Sequence, residues 1–394
     1  MTLRRLWLFF AQAVTVCLAV LFVVQTLRPE WLGAAPSARS PAVVNNVTPS
    51  APSPAPPAAA RPHSYADAAN RAMPAVVNVN TSKEVKPGGQ HPLMDDPVFQ
   101  RFFGDMFDRD EGQRAASLGS GVIVNAKGFI LTNNHVVESA DQIQIALTDG
   151  RTLDARVVGA DPETDLAVVK VESAEALPTI TLGADEDLKV GDVVLAIGNP
   201  FGVGQTITMG IVSALGRMGL GINTFENFIQ TDAAINQGNS GGALVDTAGN
   251  LVGVNTAILS RTGGSIGIGF AIPVSTARQV MEQIIETGSV TRGFIGVEAQ
   301  ELTIDLAESF KFATSAGALI AGVQKGGPAE RGGVKPGDIL VAVNGRPVAD
   351  PHSMLNIVAA LRPGEKVPLK VRREAKELDL EVEVAKRPLA QRRK

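Results

Sequence analysis

This sequence predicts a mostly β fold with a smaller α+β domain behind it, and three observations carry that prediction. Between about Tyr65 and Ile285 the apolar residues come in short strand-like runs. Examples are Ala75-Val76-Val77-Asn78-Val79, Gly121-Val122-Ile123-Val124, Gln142-Ile143-Gln144-Ile145-Ala146-Leu147 and Leu166-Ala167-Val168-Val169-Lys170-Val171. Turn signals such as Asp149-Gly150 separate them, in a chain with 40 glycines and only 5% aromatic residues. Many short strands at even spacing predict an antiparallel barrel or a sandwich. The third observation is a change of period. From Pro273 to Thr287 the residues Val274, Ala277, Val280, Met281, Ile284 and Ile285 share one helical face, and Gly288 ends the helix at a domain boundary.

In chain order, Arg4 and Arg5 precede an uncharged apolar run from Leu6 to Leu27. It is long enough to cross a bilayer core of about 30 Å, and the arginines keep its N-terminal end in the cytoplasm. A cleavable signal peptide is the alternative. Its apolar region is typically about 7–15 residues, shorter than this run, while Gly33-Ala34-Ala35 would suit cleavage. Residues 1–28 are therefore read as a transmembrane anchor. Residues 29–63, rich in Pro, Ala and Ser, read as an extended linker that cannot bury a core. The strand-rich domain is assigned to 64–288. A second domain over 289–387 contains Gly293-Phe294-Ile295-Gly296-Val297, a short apolar helix from Ser353 to Leu361 and a strand at Val367-Pro368-Leu369-Lys370-Val371. Residues 388–394 form a basic tail.

Composition removes several function classes. The net charge is −4 with Lys and Arg spread along the chain, which argues against nucleic-acid binding. The single cysteine, Cys17, allows no intrachain disulfide and sits in the apolar N-terminal run, so no thiol nucleophile is expected. There is no HExxH and no cysteine pair for a metal. The run Gly263-Gly264-Ser265-Ile266-Gly267-Ile268-Gly269 lacks the Lys-Ser/Thr of a phosphate loop and reads as a loop near a specificity pocket. No cofactor is expected.

The chemistry is concentrated in Gly238-Asn239-Ser240-Gly241-Gly242. Glycines around a serine allow a tight turn that exposes the hydroxyl and aims backbone N–H groups beside it. A serine hydroxyl needs a base. Of the four histidines only His135 lies in an apolar, strand-like context, Leu131-Thr132-Asn133-Asn134-His135-Val136-Val137. Asp165 lies between the two and would orient the imidazole, with Asp161 and Asp149 as competitors for that place. The order His, Asp, Ser is that of chymotrypsin-type proteases. The N–H groups of Gly238 and Ser240 would form the oxyanion hole.

This combination resembles the HtrA (Deg) family of serine proteases. The residues that carry the resemblance are Leu118-Gly119-Ser120-Gly121-Val122-Ile123, Thr132 to Val137, Asp165-Leu166-Ala167-Val168, Gly198-Asn199-Pro200-Phe201-Gly202 and Phe228 to Gly242. The resemblance covers about Tyr65 to Arg387. It implies a chymotrypsin-like pair of six-stranded β-barrels with the active site between them, followed by one PDZ domain, and a homotrimer built on the protease domains. With the anchor and linker, the layout resembles the membrane-anchored, single-PDZ DegS and AlgW type. That type cleaves a membrane-bound anti-sigma factor in the bacterial envelope when C-terminal tails of misfolded envelope proteins occupy the PDZ domain. General quality control of unfolded periplasmic proteins, and a PDZ binding protein with residual protease, are the alternative functions.

Several residues take expected roles from the resemblance. Asn239 stands where many digestive relatives carry an activating Asp, so activation should come from loop ordering. Ala234, six residues before Ser240, takes the place where Asp confers basic specificity. With Ile235 it predicts an apolar pocket for small aliphatic residues. Phe294, Ile295, Gly296 and Val297 would capture a peptide's terminal carboxylate, and the peptide would add as a strand to a sheet edge. Leu355 would line that groove or fill the domain core. Arg217 would relay PDZ occupancy to the active-site loops, or be a surface arginine. Phe201 replaces a Tyr found in some relatives, and the aromatic segment from Asp95 to Gly104 occupies a variable loop.

Overall fold

Alternation of apolar and polar residues sets the strands. In β4 (Gln142–Ala146), Ile143 and Ile145 are buried and both glutamines are exposed. In β6 (Leu166–Val171) nearly every residue is buried, because the strand separates two cores. Ala167, Val169 and Val171 face the interior of one barrel, while Leu166 and Val168 face a second apolar layer. The computed structural model describes Trp7, residues 12–20, Phe22, 64–83, 115–199, 204–258, 265–303, Leu306, 316–374 and 376–388. The chain divides into two units, Met1–Pro62 and His63–Lys394. In the first, the described residues are helical and exposed, Cys17 included. Among the described residues no helix is long and apolar enough to cross a membrane. The remainder of the expected anchor, the linker, Phe201 and the segment 95–104 lie outside the described residues.

The second unit contains two closed six-stranded antiparallel barrels. The first is built from β1 (Val76–Lys83), β2 (Ala115–Ile123), β3 (Phe129–Thr132), β6, β5 (Thr152–Asp161) and β4 in that spatial order. The second runs β10 (Ala243–Val245), β11 (Leu251–Ile258), β12 (Gly269–Pro273), β9 (Phe228–Thr231), β8 (Thr206–Arg217) and β7 (Val193–Gly198). Of the two expected solutions, barrel and sandwich, the chain adopts the barrel, since β1 pairs with both β2 and β4. Closure leaves no unpaired edge.

Two helices lock the barrels together. The helix α1 (Ala66–Ala72) buries Ala68 and Ala72 against Val122 of the first barrel and Ile197, Ala243 and Leu251 of the second. The helix α2 is the single turn Asn134–Val137, and α3 (Val274–Thr287) follows the second barrel. Ala277, Val280, Met281 and Ile284 of α3 pack on Leu131, Leu166, Phe228 and Phe270. Each fully buried aliphatic side chain contributes about 1.5–3 kcal/mol, so these two layers resist any change in barrel spacing. Gly288 caps α3 in the left-handed region with its N–H on the Ile284 carbonyl at 2.8 Å.

A smaller α+β domain completes the unit. Its sheet runs β14 (Val297–Glu301), β15 (Ala318–Val323), β16 (Ile339–Val343), β18 (Lys366–Arg373) and β19 (Lys376–Glu383), with β17 (Arg346–Pro347) on β16. The short β13 (Gly293–Phe294) pairs with β20 (Ala385–Lys386), bringing the two ends of the domain together. The helices are α4 (Pro328–Arg331) and α5 (Pro351–Ala359). The expected apolar helix starts two residues before Ser353. The reason is a capping box in which the Asp350 carboxylate accepts the Ser353 N–H and the Ser353 hydroxyl accepts the Asp350 N–H.

Candidate active site

The first barrel supplies a histidine and an aspartate. β3 stops at Thr132, so the strand-like reading of Leu131 to Val137 is corrected. Asn133 leaves the strand, and the chain turns into α2, which carries His135. The Asp165 carbonyl draws the chain aside by accepting the Asn134 N–H at 3.1 Å and the Asn133 side-chain amide at 2.8 Å. Asp165 sits in the β5–β6 turn at φ 60°, a left-handed conformation that aspartate tolerates better than most residues. Its carboxylate accepts the His135 backbone N–H at 3.0 Å and meets His135 Nδ1 at 2.7 Å. Both competitors are engaged with other partners. Asp149 pairs with Arg151 at the surface, and Asp161 is in a buried pair with Arg292.

The second barrel supplies the serine and a residue the sequence reading missed. Thr256 donates its hydroxyl to Asp165 Oδ2 at 2.8 Å, and its carbonyl accepts the Ser240 hydroxyl at 3.2 Å. It joins the two halves of the cleft. Thr256 can do this because β11 bulges against β12 between Asn255 and Ala257, leaving it as the extra residue. A bulge re-aims a side chain, and no local pattern in the sequence announces one here.

Burial pulls the His135 pKa down. The Asp165 charge and hydrogen bond, with a smaller contribution from the Glu138 charge, outweigh burial and raise it above the ordinary 6.5. Stabilisation from protonated His135 is therefore fully present below about pH 6.5 and is lost as pH rises through the folded value. A base must be neutral, so activity runs the opposite way. We expect the acid limb of kcat/KM on a peptide substrate to lie above pH 6.5 and to move to lower pH when the Asp165 charge is removed. A limb unaffected by that change would separate the pair from catalysis.

Glycines build the loop around Ser240. Gly238 stands at φ 93° and Gly241 at φ 83°. A Cβ at Gly241 would lie 2.1 Å from the Ser120 carbonyl oxygen and 2.4 Å from Thr132 Oγ1, so only glycine fits. The Gly241 N–H goes to the Asn255 carbonyl and the Gly242 N–H to that of Asn239. The N–H groups of Gly238 and Ser240 have no protein acceptor among the described residues. A serine hydroxyl linked through Thr256 to an imidazole–carboxylate pair can attack a carbonyl, and these two N–H groups beside it can hold the resulting oxyanion. Among the described residues no group of three or more His, Cys, Asp or Glu could hold a metal.

Ala234 is half-buried, and its carbonyl accepts the Thr208 hydroxyl at 2.8 Å. Ile235 is buried against Gly269 and belongs to the core of the second barrel. The described part of the glycine-rich loop adjoins this region, where the Ser265 N–H donates to Asn236 Oδ1 at 3.0 Å.

In the small domain β14 is an edge strand with α5 beside it. Phe294 and Val297 are half-buried, and Gly296 is buried at φ 76°. Ile295 is almost wholly buried in the domain core, whereas Leu355 is only partly covered.

The contacts between this domain and the barrels were invisible in the sequence. The Arg217 guanidinium bonds Gln230 Oε1 at 2.8 Å rather than the small domain. The loop just after it makes the contact. Asn356 of α5 donates to the Glu226 carbonyl at 3.0 Å. Arg292, just before β13, pairs with Asp161 and with Glu163 at 3.3 Å. Arg387 pairs with Glu163 at 2.9 Å, and both arginines lie over the Phe225 ring. These clamps close on the turn that carries Asp165.

Residues 119–254 match the model of the trypsin-like peptidase domain, and residues 319–373 match that of the PDZ domain. Over 320 residues the chain is 44% identical to the periplasmic pH-dependent serine endoprotease DegQ of Escherichia coli (strain K12), covering 81% of this chain and 70% of that one. Among solved structures it is similar to the HtrA-type protease AlgW with decapeptide. The TM-score is 0.70 with 55% identity, over 82% of this chain and 99% of that one. It is also similar to a serine endoprotease from Yersinia pestis, with a TM-score of 0.60 and 39% identity over 83% and 99% of the two chains.

Proposed function

Because this chain belongs to the HtrA (Deg) family of serine endoproteases, we propose that it is a periplasmic, membrane-anchored member that C-terminal peptides switch on at its PDZ domain. The observation that carries this reading is the cleft itself. The His135–Asp165 contact of 2.7 Å and the Ser240 hydroxyl meet through Thr256, beside two backbone N–H groups that have no acceptor among the described residues.

In the proposed mechanism, His135 Nε2 takes the Ser240 proton as Oγ attacks the scissile carbonyl. Asp165 holds Nδ1–H and stabilises the imidazolium. The Gly238 and Ser240 N–H groups bind the oxyanion. The proton then passes to the leaving amine, and water repeats the sequence to release the acyl group. Ala234 and Ile235 leave no charge for a basic side chain, which supports cleavage after small aliphatic residues.

For regulation, residues 294–297 would take a peptide's terminal carboxylate, and the peptide would add along the open β14 edge beside Leu355. The decapeptide in the AlgW structure supports peptide recognition. Arg217 and the loop after it would pass that signal to the Ser240 loop. A homotrimer held to the membrane by residues 1–28 and spaced by 29–63, with protease over 64–288 and PDZ over 289–387, completes the proposal. A membrane-bound anti-sigma factor in an envelope stress response is the proposed substrate. The DegQ likeness favours general periplasmic quality control as the second reading.

Cleavage of an unfolded protein by the full chain, with and without a library of free-carboxyl peptides, separates the readings. Regulated sensing predicts low activity alone and a rise with particular peptides. High activity indifferent to peptides would replace it with quality control.

The domain clamp has a consequence of its own. Removing the Arg292 guanidinium leaves the buried Asp161 carboxylate without its cation, which typically costs about 3–5 kcal/mol. Arg292→Ala is expected to lower stability by about that amount and to change the ratio of peptide-activated to basal rate. Urea unfolding and paired assays check both. An unchanged ratio would remove the clamp from the signalling route.

A further inference from the structure

Ser120 lies in β2 with none of its surface exposed, and the mechanism above gives it no part. A buried hydroxyl is costly unless its hydrogen bonds are made. Here every polar atom is engaged, and three of the four bonds cross to the second barrel. The N–H donates to the Ser240 carbonyl at 2.8 Å. The hydroxyl donates to the Gly238 carbonyl at 2.6 Å and accepts the Asn199 N–H at 3.0 Å. The carbonyl accepts the Thr132 hydroxyl at 2.7 Å, within the first barrel.

The Gly238 carbonyl belongs to the peptide unit between the two units whose N–H groups would bind the oxyanion. Gly238 stands at φ 93°, and glycine rotates between backbone wells at little cost. Nothing in its own side chain can hold it there; the unit is held at its N–H end by the Asn236 carbonyl, which accepts the Asn239 N–H at 3.0 Å, and at its carbonyl end by the Ser120 hydroxyl. We propose that Ser120 is a positioning residue for the oxyanion hole. By gripping the middle peptide unit it directs both flanking N–H groups into the cleft, and it ties that alignment to the Asn199 end of β7. This rests on the reading of Ser240 as nucleophile and Gly238 as oxyanion donor. The bond to the Ser240 carbonyl comes from the backbone and survives substitution, so the hydroxyl's contribution can be tested alone.

The test uses the full chain and a fluorogenic peptide with valine before the cleaved bond. It compares wild type, Ser120→Ala, Ser120→Cys, Ser240→Ala and the cavity variant Val79→Ala. Val79 is a fully buried residue of β1 outside the site and supplies a destabilised reference. Losing one oxyanion donor outright costs about 10²–10³-fold in kcat, so misaligning the pair in Ser120→Ala is expected to lower kcat about 10–100-fold. KM should change less than about threefold, on the same view that the interaction is made only in the transition state. Affinity for a peptide boronate, whose tetrahedral adduct places an oxygen in the hole, should fall by the same factor as kcat. Ser120→Cys, with a weaker donor, should fall between, and it keeps the test alive if the alanine variant does not fold. Three results would overturn the proposal: kcat of both Ser120 variants within twofold of wild type while Ser240→Ala is inactive; loss of kcat with unchanged boronate affinity; or a loss matched by Val79→Ala at equal stability. Activity retained in Ser240→Ala would instead overturn the nucleophile reading.

Discussion

Ser240→Ala is expected to reduce kcat by about 10⁶-fold while leaving KM and the fold nearly unchanged. A serine nucleophile acting with its base shows losses of this order, and adding His135→Ala should make matters little worse, because the residues work as a unit. The structural cost is small. Ser240 is buried, but among the described residues its hydroxyl makes one hydrogen bond, 3.2 Å long, to the Thr256 carbonyl. A neutral bond of that kind contributes about 0.5–1.5 kcal/mol. Unfolding curves close to wild type with vanishing turnover would assign the loss to chemistry. Turnover within tenfold of wild type would end the assignment.

Asp165→Asn should be the next most damaging change, lowering kcat about 10⁴-fold, as expected when the imidazole is left in the wrong tautomer. The surroundings of Asp165 explain why an amide cannot substitute. Both carboxylate oxygens accept: one from the His135 N–H, the other at His135 Nδ1 and from the Thr256 hydroxyl. An amide has a single acceptor oxygen. Turned one way, its NH₂ faces the backbone donor of His135. Turned the other, it donates to Nδ1 and forces the proton onto Nε2, the atom that must accept from Ser240. A neutral imidazole keeps that Nε2 proton across the working pH range, while loss of the Asp165 charge moves the acid limb of the variant to lower pH. The fold-loss should therefore be smallest below the wild-type limb and rise with pH to a plateau above it. Paired pH profiles of kcat for wild type and variant check this. A pH-independent loss would point to a purely structural defect.

The parts legible in the sequence are those with local or chemical signatures. The helix α3 showed itself through Val274, Ala277, Val280, Met281 and Ile284, a single face that needs no knowledge of its partners. His135, Asp165 and Ser240 could be picked out as the proposed triad because few residue types do this chemistry and their order is distinctive, and the structure sets His135 2.7 Å from Asp165 and links Ser240 to them through Thr256. What stayed hidden depends on pairing between distant residues. Barrel closure rests on β1 meeting both β2 and β4. Thr256 reaches Asp165 only because β11 bulges at that residue. Ser120 reads as one small residue between two glycines until β2 is laid against the Ser240 loop. The clamp on the Asp165 turn joins Arg292 to Asp161 across 131 residues and Arg387 to Glu163 across 224. No window of sequence contains both partners.

The most direct test of a peptide-controlled serine protease is covalent labelling of the full chain by a fluorophosphonate. The reaction is timed with and without free-carboxyl peptides, and the adduct is mapped by mass spectrometry. The account predicts one adduct, on Ser240, forming faster when a suitable peptide is bound and not forming in His135→Ala. An adduct on another residue, or one on Ser240 that forms equally well in His135→Ala, would contradict it.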